Sequence, residues 1–115
     1  MFEVEGLEIF FYTAPVDMRR SIDGLSIIVS ERLTLEPNNG SLYVFFNKSK
    51  DKLKILYWQR NGFCLWYKRL EKERFKIPAS TGVLTLTFQQ LRWLLDGLDY
   101  TKLQGHKSLS YKAFH

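Results

Sequence analysis

The sequence predicts an α+β domain: a mainly antiparallel sheet of about four strands, which contains a central β-hairpin and is covered by two helices. Two strand-like runs flank Asn61-Gly62, a dipeptide that favours a tight hairpin turn because both residues accept positive φ angles. Two other segments repeat apolar residues with the period of an amphipathic helix. Short apolar runs at residues 7–12 and 42–46 supply the remaining strands.

Length and composition predict a single domain. The 115 residues can enclose one core but are too few for a nuclease domain joined to a separate binding domain. A hydrophobic content of 45% is typical of a packed globule. We assign residues 1–100 to one α+β domain and residues 101–115 to a flexible, polar and basic tail, because the apolar periodicity ends there.

The first helix is expected after the first strand. Four apolar residues at spacings of four, three and four form one helical stripe: Met18, Ile22, Leu25 and Val29. Asp17 and Ser21 are both suitable N-cap residues, and the pattern does not decide between them.

The hairpin is expected to pair residues 53–59 with residues 63–69 around a two-residue turn at Asn61-Gly62. In this register Lys54 lies opposite Arg69, although like charges in that position repel. Such a repulsion favours an acidic partner at the open end of the hairpin.

Trp58 and Trp66 are expected on opposite faces of the hairpin, because side chains alternate along a strand. Trp66 shares its face with the more aliphatic residues, which fill a helix-covered core more readily than a mixed aromatic surface does. We therefore expect Trp66 in the core and Trp58 to be the more exposed of the two.

The second helix is expected to begin at Thr87, which forms a capping box with Gln90. Gly97 is a suitable helix end. The apolar face between them repeats with a helical period: Phe88, Leu91, Leu94, Leu95 and Leu98. The pattern of residues 70–76 fits either a helical turn or an irregular crossing and does not decide between them. Residues 83–86 form a short apolar run.

Three segments in this order resemble one family of small bacterial proteins: VDMRRSIDGL at residues 16–25, residues 53–78, and LTLTFQQLRWLLDGLDY at residues 84–100. The family is the accessory protein, often labelled TnpB, that is encoded by the second open reading frame of bacterial insertion sequences of the sixty-six group. Its most specific parts here are DMR and DGL in the first segment, then GFCL and YKRLE in the second. The family's Gly-Arg-Phe reads Glu73-Arg74-Phe75 here, so the glycine is absent. The resemblance implies a role in transposition beside a separate transposase.

Catalytic chemistry finds little support in the sequence. Two pairs of carboxylates lie close along the chain: Asp17 with Asp23, and Asp96 with Asp99. Carboxylates hold Mg²⁺ or act as acid and base only when they converge in a cleft, and Asp17 is better explained as a cap or as an ion-pair partner of Arg19 or Arg20. We therefore expect no catalytic residue, no metal and no cofactor.

Cysteine and histidine also lack a catalytic arrangement. Cys64 lies in a strand with no histidine close in sequence, which favours a buried structural thiol. His106 and His115 are nine residues apart in the tail and are expected to be solvated. The single cysteine suits a reducing cytoplasm. The apolar N-terminal run has no preceding basic region, and no apolar stretch is long enough for a membrane span, so we expect no membrane partner.

The basic residues carry the strongest functional signal. The net charge is +5, and four lysines at positions 48, 50, 52 and 54 precede a denser basic cluster at positions 68–76. Phosphate binding needs several cations on one face, and neighbouring aromatic rings can stack on exposed bases. The alternative is a solvated face that is partly neutralised by Asp51, Glu71 and Glu73. The candidate nucleic-acid-binding residues are Arg19, Arg20, Lys54, Lys68, Arg69, Lys72, Arg74 and Lys76.

Two functional hypotheses follow. The first is a non-catalytic accessory factor for DNA transposition that binds the phosphate backbone of element-end or target DNA through this basic patch. The second is a protein-interaction adaptor that recruits the transposase or a sister accessory protein without direct DNA contact. Its candidate partner-binding residues are the aromatic side chains Trp58, Phe63 and Tyr67.

Overall fold

The computed structural model describes residues 7–103. The strands are β1 (Ile9–Tyr12), β2 (Leu42–Phe46), β3 (Lys52–Gln59), β4 (Gly62–Arg69) and β5 (Val83–Leu86). The helices are α1 (Ile22–Ile28), which continues into a π-helical turn (Val29–Leu33), and α2 (Phe88–Leu95). Residues 100–103 add one helical turn, in which Tyr100 is buried. The predicted tail begins at residue 101, so its first three residues belong to this turn, while the rest of it, with His106 and His115, lies outside the described residues.

The sheet has five strands in the order β4-β3-β2-β1-β5 and is mixed, whereas the sequence predicted about four strands in a mainly antiparallel arrangement. β1 and β2 are parallel, because the chain between them contains α1 and returns as a crossover connection. The fifth strand is the short run at residues 83–86, which pairs antiparallel with β1 at the sheet edge.

Both faces of the sheet are covered, one by each helix. Alternate residues of β2 point to opposite sides, so that Val44 packs in the cluster under α2 and Phe45 in the cluster under α1. All five residues of this central strand are buried, which explains its continuous apolar sequence. The result is a three-layer arrangement in which α1 and α2 lie on opposite sides.

The start of α2 agrees with the sequence, and the structure decides between the two candidate caps of α1. Met18 and Leu98, which were predicted on the helical stripes, lie outside the two helices. Ser21 is the N-cap residue of α1, whereas Met18 lies in a separate turn before the helix. At α2, Thr87 Oγ1 accepts a hydrogen bond from the Gln90 backbone N–H, and the Gln90 side chain accepts one from Thr87 in return. Gly97 follows the helix with a φ of 80°, which confirms it as the helix end.

Residues 70–82 form an irregular crossing segment that carries the chain from β4 at one sheet edge to β5 at the other. The Leu70 N–H donates to the Asp51 carbonyl oxygen at 2.8 Å, and the Phe75 N–H donates to the Lys50 carbonyl oxygen at 2.7 Å. Phe75 is 1% exposed and packs in the cluster under α2. These contacts attach the crossing segment to the turn between β2 and β3.

The hairpin turn lies one residue earlier than the sequence predicted. Gln59 pairs with Gly62, so Arg60 and Asn61 form the turn, and Arg60 has a φ of 57°. Trp58 therefore lies opposite Phe63 instead of Leu65, and the two rings make an edge-to-face contact at 5.0 Å. We attribute the register to such cross-strand packing, which outweighs the preference of Asn-Gly for the central turn positions.

The shift leaves every side chain on its predicted face, because each partner moves by two residues along the strand. It does change the charged pairs at the open end. Lys54 lies opposite Tyr67, and Lys52 takes the predicted place of Lys54 opposite Arg69.

Candidate nucleic-acid interface

A groove of about 770 Å³ lies on the α1 side of the hairpin, between the loop before α1, the turn after β2, and strands β3 and β4. We call it the cationic groove. Its polar lining contains four cations and one carboxylate, while its apolar lining includes one aromatic ring. The lining residues are Val16, Asp17, Met18, Arg19, Asn47, Lys48, Ser49, Lys52, Lys54, Leu65 and Tyr67.

Asn47 orders the turn that carries Lys48 to the rim of the groove. The Asn47 side-chain oxygen accepts hydrogen bonds from the backbone N–H groups of Asp51 and Lys52, at 3.1 and 2.9 Å. Its amide nitrogen donates to the Asp51 carboxylate at 2.7 Å. Lys50 adopts a φ of 61° in the same turn. Lys48 and Lys52 are therefore attached to a turn that a side chain holds in one conformation.

Lys54 positions the loop on the other side of the groove. Its ammonium donates two hydrogen bonds of 2.9 Å, to the carbonyl oxygens of Met18 and Arg20. It also lies 5.7 Å from the centre of the Tyr67 ring, a cation–π distance. Lys54 therefore contributes charge to the groove mainly from a fixed, structural position, because two of its three donors are used within the protein.

Asp17 and Arg19 form an ion pair at the edge of the groove. Arg19 donates to both carboxylate oxygens of Asp17 through its guanidinium, with the shortest contact at 2.6 Å, and also through its backbone N–H. The hydrogen bonds from Arg19 lower the pKa of Asp17 from the usual 3.8 to about 2. This confirms Asp17 as an ion-pair partner. The Arg19 side chain remains 91% exposed, so its guanidinium stays open to solvent.

Replacing Arg19 with alanine is expected to return the pKa of Asp17 towards 3.8, because the strongest donors to the carboxylate are lost. In the native protein the ionised Asp17 favours folding above about pH 4, and this contribution disappears as the pH falls towards 2. NMR titration of the Asp17 carboxyl carbon measures the pKa in the native protein and in the Arg19→Ala variant. An unchanged midpoint in Arg19→Ala would contradict the assigned ion pair.

The remaining basic residues divide between the two sides of the sheet. Lys68 lies on the α2 side, where its ammonium donates to the Leu95 carbonyl oxygen at the end of that helix, at 2.7 Å. This favourable pairing with the helix C-terminus was not visible in the sequence. Arg69 lies on the side of the cationic groove and bonds to Glu71 at 2.9 Å. Arg20 lines a separate, smaller depression beside α1.

Three further cations lie on the crossing segment, all exposed: Lys72, Arg74 and Lys76. The Arg74 guanidinium and the Lys76 ammonium each contact a backbone carbonyl oxygen of the same segment. Because Phe75 attaches this segment to the Lys50 carbonyl, the three cations lie near the β2–β3 turn but outside the cationic groove. The predicted patch is therefore divided, and Lys48 and Lys52 join its groove side.

The aromatic residues do not form the broad exposed face that the sequence suggested. Trp58 and Phe63 are half-buried against each other, while Tyr67 is 49% exposed and lines the cationic groove. Trp66 packs against the cluster under α2, as expected for the inward face, but it too is only half-buried.

Among the described residues, the acidic and histidine or cysteine side chains form no group of three or more that could hold a metal ion. Cys64 is half-buried, not buried as expected, and its sulfur lies 3.9 Å from the Gln59 side-chain oxygen. No helix within residues 7–103 has the length and apolar character needed to cross a membrane.

Comparisons with known proteins place this chain in a family. Residues 7–105 match the family described as IS66 Orf2 like protein. The chain is 36% identical over 100 residues to the uncharacterized protein y4jC of Sinorhizobium fredii (strain NBRC 101917 / NGR234), and the aligned region covers 86% of each of the two chains. It is 35% identical over 97 residues to the uncharacterized protein y4hO of the same organism, and this aligned region covers 84% of each of the two chains. No solved structure matches the chain significantly. Because the match spans most of its length, the chain belongs to the IS66 Orf2-like family, whose accessory role is in transposition.

Proposed function

We propose that the protein is a non-catalytic accessory factor of IS66 transposition that binds the DNA phosphate backbone with the cationic groove. The observation that carries this proposal is the arrangement of four cations around one concave surface with a single carboxylate, Asp17. That carboxylate is paired with Arg19, and Lys52 lies 3.4 Å from the Asp51 carboxylate, so the net positive charge of the groove comes mainly from Lys48 and Lys54. A concave surface with a net positive charge attracts polyanions over a long range and concentrates them at the site.

The fixed geometry of the groove also supports backbone binding. Asn47 orders the turn on one side, and Lys54 holds the loop on the other through two backbone carbonyls. Cations on ordered elements lose less conformational freedom on binding than cations on mobile ones do. Arg69 and the exposed cations of the crossing segment extend the positive surface towards neighbouring phosphates.

The second hypothesis, an adaptor that recruits the transposase through an aromatic surface, has less surface available than the sequence suggested. Of its three candidate residues, only Tyr67 is among the exposed large hydrophobic residues. Trp58 and Phe63 already contact each other across the hairpin. A protein partner that recognises the groove would therefore need acidic residues, which compete with DNA for the same cations.

Binding of a fluorescently labelled duplex at increasing salt tests the proposed function. If about four to six phosphates are contacted, the logarithm of the association constant should fall against the logarithm of salt with a slope of roughly −4 to −5. Anisotropy titrations between about 50 and 200 mM salt provide this slope. An association constant that does not change with salt, or no binding at the lowest salt, would contradict the DNA hypothesis. Co-elution of the protein with its transposase in the absence of DNA would instead favour the adaptor.

A further inference from the structure

The cationic groove has an apolar lining that binding of a duplex backbone does not require. Val16, Met18 and Leu65 contribute aliphatic surface to it, and the half-exposed ring of Tyr67 lines the same groove. Phosphates interact with the cations and gain nothing from aliphatic or aromatic surface. An exposed ring beside phosphate-binding cations is instead the combination that proteins use to bind unpaired nucleotides.

Tyr67 is held in a defined position. It lies in the paired part of β4, directly opposite Lys54, and the Lys54 ammonium occupies one side of the ring at 5.7 Å from its centre. Two residues earlier on the same face, Leu65 packs against the cluster under α1. A ring fixed in this way can stack on a base without first losing much conformational freedom.

The shape of the groove also distinguishes single strands from duplex DNA. In a duplex the bases are stacked inside and only the phosphate ridges reach a protein groove, whereas an unpaired base can leave the stack and reach its floor. The volume of about 770 Å³ lies within the range of about 300–1,000 Å³ that holds small organic ligands, and so has room for one nucleotide.

We propose that the cationic groove binds single-stranded DNA, with one unpaired base stacked on Tyr67 and the adjacent phosphates bound by Arg19, Lys48 and Lys52. This inference rests on the proposed function and deepens it, since it names the form of DNA that the groove accepts. Lys54 has a positioning role, because its ammonium holds the loop and lies beside the ring.

The variant Tyr67→Ala tests the stacking contact. We expect it to weaken binding of a single-stranded 12-nucleotide thymidine oligomer about tenfold or more, in line with the usual loss when a stacking ring is removed. Binding of a 12-base-pair duplex should change less than twofold. Tyr67→Phe keeps the ring and should bind both DNAs like the native protein. Thermal melting of each variant verifies that the domain is folded.

An oligomer of the same length with abasic sites provides a matched ligand control. It carries the same phosphates without bases, so the native protein should bind it about as weakly as Tyr67→Ala binds the intact oligomer. Equal losses for single strand and duplex in Tyr67→Ala, or no loss for either, would overturn the stacking proposal while leaving backbone binding in place. Absence of binding to every DNA would refute both proposals.

Two competitors identify other occupants of the groove. Single-stranded DNA should displace labelled single-stranded DNA better than an RNA oligomer of the same sequence or a polyglutamate peptide of equal charge does. If the RNA competes more strongly, the groove is an RNA site. If polyglutamate competes equally and its binding also depends on Tyr67, the groove recognises an acidic protein segment. Either result overturns the assignment to single-stranded DNA.

Discussion

Phe75→Ala is expected to lower the free energy of unfolding by about 3–5 kcal/mol, the usual cost of removing a large aromatic side chain from a core. Phe75 is 1% exposed and packs in the cluster under α2, although it lies on an irregular segment between two exposed basic residues. A domain of this size has a total stability of about 5–15 kcal/mol, so the loss could unfold a large fraction of the molecules. Urea denaturation followed by circular dichroism measures the change.

Phe88→Ala provides the matched control for this substitution. Phe88 is 40% exposed at the start of α2, and its ring contacts Arg92 at 5.8 Å. Its replacement should cost less, about 1–2 kcal/mol, because 40% of its surface stays in contact with solvent in the folded protein. Equal costs for the two variants would contradict the role of Phe75 as the residue that attaches the crossing segment to the core.

Reversing two charges in the cationic groove, with Lys48→Glu and Lys52→Glu together, is expected to weaken DNA binding about 60-fold or more at 0.1 M salt. At that salt each phosphate contact contributes a factor of about eight through counterion release, and the new carboxylates add repulsion. The salt slope should become shallower by about two units, since two contacts are lost. Anisotropy titrations at several salt concentrations measure the affinity and the slope together.

Arg92→Glu with Lys102→Glu is the matched control, because it changes the net charge by the same amount. Arg92 lies exposed on α2, and Lys102 is exposed in the helical turn of residues 100–103, whose Tyr100 packs in the cluster under α2. This double variant should lose only the small part of the DNA affinity that depends on the overall net charge of the protein. Equal losses in the two double variants would mean that overall charge, and no particular site, attracts DNA.

Elements with strong local signals could be predicted from the sequence. The α2 cap formed by Thr87 and Gln90, the helix end at Gly97 and strand β2 all lie where the pattern placed them. The assignment of hairpin residues to faces also holds, because the alternation of side chains does not depend on the turn. Local chemistry decides each of these features.

Features that depend on contacts distant in sequence could not be predicted in the same way. The parallel pairing of β1 with β2 and the fifth strand require knowledge of which strands become neighbours. Lys68 was expected to face DNA, but its ammonium bonds to Leu95, 27 residues away. Lys48 and Lys52 belonged to a recognised basic cluster, yet only the fold shows that they share a groove with Tyr67.

The most direct test of the central claim is to map DNA contacts by NMR on the ¹⁵N-labelled protein. Addition of a single-stranded thymidine oligomer should shift the backbone amide signals of residues 16–19, 47–54 and 65–67, which surround the cationic groove. Amide signals of α2 should remain unchanged, because that helix lies on the opposite side of the sheet. Shifts confined to α2 or to the crossing segment, with the groove signals unmoved, would contradict the groove as the site of DNA binding.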